Sequence, residues 1–111
     1  MAEGPEAARD LAAELDAIDP AQERYELHLY VTGMTPHSAR AVDNLRAFCH
    51  KHLGGRHTIR IFDLYQQPAL AREEQLVAAP TLVKRLPLPQ RRLVGDLSNE
   101  ERVRAALGLS T

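Results

Sequence analysis

Cysteine is nearly absent from this sequence. The single Cys49 excludes an intramolecular disulfide and fits a reducing compartment. No stretch is apolar for long enough to read as a membrane-spanning helix. Net charge is missing too. Fourteen basic and fifteen acidic residues leave −1, so bulk charge points to neither nucleic acid nor an anionic membrane as partner. The opening MAEGPEAARD has no apolar core of the secretory kind, and the expected location is cytoplasmic. There is no phosphate-cradling glycine loop, serine elbow or paired acidic motif. The histidines His28, His37, His50, His52 and His57 show no ligand spacing. Residues two apart on a helix point to different faces, so His50 and His52 could join His57 on a metal only if the helix end unwound. The plainer reading is a solvated helix end, where protonated histidine suits the dipole. No metal and no other cofactor is expected.

What is present is enough chain for one domain with one core. Residues 1–23 stand apart as an acidic arm. Glu3, Glu6, Asp10, Glu14, Asp16 and Asp19 are set against Arg9 alone. Ala8, Leu11, Leu15 and Ile18 recur at helical spacing, so the arm reads either as a short amphipathic helix or as a disordered terminus. Residues 24–111 read as the folded domain.

The stretch YELHLYV, residues 25–31, alternates apolar and polar and predicts a strand. Thr35 before Pro36 predicts an N-cap and first helical residue. Ala39, Val42, Leu45, Phe48 or Cys49, and Leu53 form the apolar stripe of that helix, and Gly54-Gly55 stops it. HTIRIFDL, residues 57–64, predicts a second strand. Its apolar residues fall on both faces, which predicts a central strand covered on both sides. Strand, helix, strand is a βαβ unit with parallel strands. Pro68 opens a short helical segment, ALAREEQL. Thr81-Leu82-Val83 predicts a third strand after Pro80, Pro87 and Pro89 bracket a turn, and RRLVG predicts a fourth strand. Ser98 with Glu101 three residues on matches a capping box. Val103, Ala106 and Leu107 give the last helix its apolar face, and Gly108 ends it.

The predicted order is βαβαββα, a single α/β domain with the order of thioredoxin-like folds. In such folds a cis-proline precedes the third strand, where Pro80 stands. The redox motif would fall at Met34-Thr35-Pro36-His37, and neither end is cysteine. Without a thiolate there is no nucleophile for disulfide exchange, so a thiol oxidoreductase is disfavoured. Cys49 lies on the apolar stripe and reads as a packing residue. The sequence describes a binding protein, not an enzyme. Lys84, Arg85, Arg91 and Arg92 flank the proline turn. They read either as a charge-blunted hairpin edge or as a recognition edge for an acidic or carbonyl-rich surface.

The segments LHLYVTGMTPHSARAVDNL, IRIFDLYQQPALAREEQLVAAPTLVKRLPLPQRRLVGDLS and NEERV, in this order and spacing, resemble the KaiB family of bacterial circadian clock proteins. The resemblance spans residues 25 to about 109 and leaves out the acidic arm. It implies a protein without catalytic activity that binds the KaiC ATPase ring, a hexamer, and then captures KaiA or displaces an output kinase. It also implies a metamorphic chain. The first half is constant. The second half takes either the thioredoxin-like order or a resting order, βαββααβ over the whole domain, often as a homo-tetramer or dimer. The family pattern points to Arg40, Lys84, Arg91 and Arg92 as partner contacts, with Gln75 where relatives often carry lysine. The residues expected to govern the switch are Pro80, Pro87 and Pro89, the Gly95-Asp96 turn, Ala106 and Gly108. X–Pro bonds interconvert slowly between cis and trans, which suits a slow exchange between two packings. Clock-type relatives carry Gly-Leu-Asp where this chain has Ala106-Leu107-Gly108. Glycine inside a helix costs about 1 kcal/mol relative to alanine, so Ala106 favours the last helix and the thioredoxin-like state. A second reading keeps the family and changes the setting, to an adaptor in a stress response or for a sensor histidine kinase.

Overall fold

The computed structural model describes residues 23–109. Its elements are β1 Tyr25–Val31, α1 Pro36–His52, β2 His57–Asp63, α2 Ala69–Glu73, β3 Thr81–Leu86, β4 Arg91–Val94 and α3 Glu100–Leu107. The order is the βαβαββα expected, and the resting order is not the one adopted. The residues read as an acidic arm lie outside the described residues, save Glu23. No described helix is long and apolar enough to cross a membrane.

The strands form one sheet in the order β2-β1-β3-β4. β1 pairs parallel with β2 and antiparallel with β3, and β3 pairs antiparallel with β4. One face carries the core. Leu27 and Leu29 of β1, Leu82 of β3 and Leu93 of β4 pack with Leu45, Phe48 and Cys49 of α1 and with Val103 and Leu107 of α3.

Thr35 caps α1 as expected, its Oγ1 accepting from the Ser38 N–H at 3.2 Å. The buried stripe is Ser38, Ala41, Leu45, Phe48 and Cys49. Its apolar part therefore starts on Ala41, between Ala39 and Val42, which are half-buried. Ser38 turns inward because its Oγ accepts from the Thr32 N–H at 3.3 Å.

Two expectations are corrected. β2 is an edge strand, with Thr58, Arg60 and Ile61 exposed. Its two-faced apolar pattern has another cause: Ile59 leans on the core, while Phe62 stacks on Tyr30 on the opposite face at 5.1 Å. The other correction is the cap of α3, which is Asn99 and not Ser98. Asn99 Oδ1 accepts from the Arg102 N–H at 3.2 Å. The Ser98 N–H is already given to Asp96 Oδ1 at 3.1 Å, so this local turn holds Ser98 outside the helix and the cap falls one residue later. The far end of α3 is as expected. Gly108 sits at φ 74°, a left-handed stop that glycine adopts without strain.

Candidate partner-binding surface

The proline hairpin and the ends of the helices beside it collect most of the residues singled out by sequence. Pro80, Pro87 and Pro89 all follow cis peptide bonds, and Pro80 occupies the position expected before β3. Gly95 follows β4 at φ 128°, and its N–H donates to the Pro80 carbonyl at 2.9 Å. Asp96 ties this turn to α1. Its carbonyl accepts from Asn44 Nδ2 at 2.8 Å, and its Oδ2 accepts from Arg40 Nε at 3.3 Å. Hydrogen bonds from the Ser98 hydroxyl and N–H, and then from Arg40, hold the Asp96 carboxyl below its ordinary range. Ala106 is half-buried against the core.

The five residues read as partner contacts do not form one patch. Arg40 and Arg91 are exposed. Arg92 is exposed but engaged: its guanidinium donates to the carbonyls of Glu74 at 2.6 Å and Gln75 at 3.1 Å. It thus satisfies carbonyls left open at the end of α2. Gln75 is exposed and sits at φ 55°, just past α2. Lys84 is 4% exposed. A Cβ at Gly108 would lie 3.6 Å from its ammonium, so Lys84 sits at the carbonyl end of α3, where a cation is favoured. Burial, and then Arg91, push its pKa below the ordinary value.

Sequence reading passed over a polar network on the sheet face opposite the core. Arg85 sits next to a register irregularity between β1 and β3. It donates to Tyr30 Oη at 2.9 Å, to His28 Nδ1 at 3.2 Å and to the Glu74 carboxylate. Arginine has no acceptor, so His28 Nδ1 is bare here, and Nε2 carries the proton toward Glu26 Oε2 at 2.8 Å. Burial opposes the Arg85 charge, but the bonds to Glu74 and Tyr30 outweigh it and raise its pKa. The available signal was Tyr30, an aromatic residue on the polar side of an alternating strand. It is buried there.

At the far end of α1, Lys51 Nζ lies 3.2 Å from Glu100 Oε2 and His52 Nε2 lies 3.5 Å from Glu100 Oε1. The bond from Lys51, and then His52, hold the Glu100 carboxyl below its usual range. Among the described residues, no three His, Cys, Asp or Glu side chains come together as a metal site. Cys49 is fully buried, and burial pushes its thiol up to about 12. A thiol so raised carries almost no thiolate at neutral pH. A disulfide reagent is expected to modify Cys49 only when the protein unfolds. Rapid modification of the native protein would overturn its placement in the core.

A four-stranded sheet with α1 and α3 on one face, a cis-proline before β3 and no cysteine at Met34 or His37 defines a thioredoxin-like domain without the thiol pair of that chemistry. Solved structures agree on the fold. The N-terminal domain of SasA from Synechococcus elongatus superposes with a TM-score of 0.64 at 20% identity, covering 83% of this chain and 90% of that one. Chloroplastic thioredoxin z superposes with a TM-score of 0.63 at 14% identity over 86% of both chains. Sequence decides the family. The KaiB domain matches residues 28–109. The circadian clock oscillator protein KaiB of Thermostichus vulcanus is 43% identical over 90 residues, covering 81% of this chain and 83% of that protein. The circadian clock protein KaiB3 of Synechocystis is 40% identical over 86 residues, covering 78% and 84%. The chain belongs to the KaiB family of circadian clock proteins.

Proposed function

We propose that this protein is a non-catalytic timing component that binds a KaiC-type hexameric ATPase ring and regulates its phosphorylation cycle or output. The observation that carries this reading is the state of the second half. Residues 69–107 already hold the α-β-β-α order, which the family resemblance associates with ring binding. Arg40 and Arg91 each offer an exposed guanidinium group to an acidic or carbonyl-rich surface, from separate places on the domain. Lys84 and Arg92 act within the domain, Lys84 at the end of α3 and Arg92 at the end of α2. Exchange with the resting order, and capture of KaiA or competition with a sensor kinase, belong to this reading.

Size-exclusion chromatography with light scattering tests it, with and without a KaiC ring loaded with ADP or ATP. The expected result is co-elution with the ring, and the mass of the free protein tells a monomer from a dimer or tetramer. Failure to bind at high micromolar concentration would overturn the proposal and favour a partner outside the clock.

A further inference from the structure

Charge is divided unevenly along this chain. Of its fourteen basic and fifteen acidic residues, one and six fall in residues 1–22. Thirteen basic and nine acidic residues remain for the folded domain. The near-neutral whole thus joins a segment of net −5 to a body of net +4.

The body places part of its positive charge where that segment joins it. Glu23 leads into β1, and its carbonyl accepts from Arg56 Nη1 at 3.2 Å. Arg24 Nη1 donates to the Gly55 carbonyl at 3.3 Å. β1 starts at this end of the sheet. Its antiparallel neighbour β3 finishes here and β4 starts here, which brings Lys84 opposite Arg91. None of Arg24, Arg56, Lys84 and Arg91 forms an ion pair with a described carboxylate. Beside them the hairpin exposes two leucines, Leu86 at 48% and Leu88 at 73%.

We infer that residues 1–22 dock back on this rim of their own chain. Asp16 and Asp19 would face Arg24, Arg56 and Arg91, while Leu11, Leu15 and Ile18 meet Leu86 and Leu88. The reach is sufficient. An extended chain spans about 3.3–3.6 Å per residue, so Asp19 can lie up to about 14 Å from Glu23. The two strand spacings from β1 to β4 amount to only about 10 Å. Attraction between a net −5 segment and a net +4 body is strengthened by the tether, which keeps the segment at high effective concentration.

The test uses the full chain with a nitroxide on Ala12→Cys. Native Cys49 is fully buried and stays unlabelled. The expected result is loss of amide signal at Gly55, Arg56, His57, Leu86, Leu88, Gln90 and Arg91, absent when the nitroxide is reduced. The signal should recover in 1 M salt, where the Debye length falls to about 3 Å. Adding Asp16→Asn and Asp19→Asn to the labelled chain is expected to restore most of it. Uniform broadening, broadening confined to another face, or broadening unchanged by salt and by neutralisation would overturn the inference. So would broadening that appears between labelled and unlabelled chains in a mixture to the same extent as within one chain.

Discussion

Leu107→Ala is expected to destabilise the domain by about 2–5 kcal/mol, the range for truncating a fully buried leucine. Leu107 is 1% exposed and stands in the last turn of α3, directly before the Gly108 stop. For a domain of this size each kcal/mol is about 4–8 °C in Tm, so the midpoint should fall by about 8 °C or more. The effect matters beyond stability because the exchange proposed above would have to remake α3. Ala106→Gly serves as the calibrating variant. It weakens the same helix by about 1 kcal/mol through backbone entropy, plus whatever packing its half-buried methyl supplies. Urea denaturation followed by circular dichroism measures both. A loss below about 1 kcal/mol for Leu107→Ala would mean that α3 is not packed on the sheet as described. A final strand over residues 100–107 in solution would overturn the thioredoxin-like resting state itself.

Arg85→Met should destabilise by about 2 kcal/mol. Hydrogen bonds to charged groups contribute roughly 1.5–3 kcal/mol. Removing one partner of a fully buried ion pair costs about 3–5 kcal/mol. Arg85 and Glu74 keep 22% and 25% of their side chains exposed, so the lower range applies. The loss arises because Glu74, Tyr30 and His28 lose a donor together. Two further variants separate this account from simple packing. Arg85→Lys should recover little, since an ammonium cannot reproduce the fork that reaches three partners. Arg85→Met combined with Glu74→Met should be less damaging than the two single changes summed. A double-mutant cycle on Tm and on amide exchange in α2 measures this coupling. Strict additivity would show that the pair does not hold α2 to the sheet.

The difference between these residues explains what was legible in the sequence. β1, α1 and β2 were readable because their signals are local: alternation in YELHLYV, the Thr35-Pro36 start, and a stripe at helical spacing. The end of α3 was readable for the same reason. The rank of a strand within the sheet was not, because Ile59, Ile61 and Phe62 give β2 the same pattern whether it is central or at an edge. The choice of Asn99 over Ser98 depended on Asp96 taking the Ser98 N–H, a competition between neighbours that a capping motif does not encode. The candidate site was less legible still. Arg85 meets Tyr30 across 55 residues and Glu74 across 11. No pattern in the chain announces that Arg92 will cap α2 or that Lys84 will be drawn under α3. Arg40 and Arg91 were named by the family resemblance, and both are exposed, as charged residues are by default.

The pairing of β1 with β3 has one more consequence. Residues 25–63 close their hydrogen bonds largely among themselves. β1 and β2 share a seven-residue parallel register, Leu64 N–H returns to the Val31 carbonyl, and Tyr25 N–H donates to the Arg56 carbonyl. The rest of the sheet is joined to that unit by one strand seam, Glu26 to Tyr30 against Leu86 to Thr81, by the bonds of Arg85 to His28 and Tyr30, by the clasps that Asp96 and Glu100 make with α1, and by the core that Leu82, Leu93, Val103 and Leu107 share with α1. In its backbone hydrogen bonds the molecule is built like a book with a sewn first signature and a second held by a single row of stitches, the shared core serving as the glue along the spine.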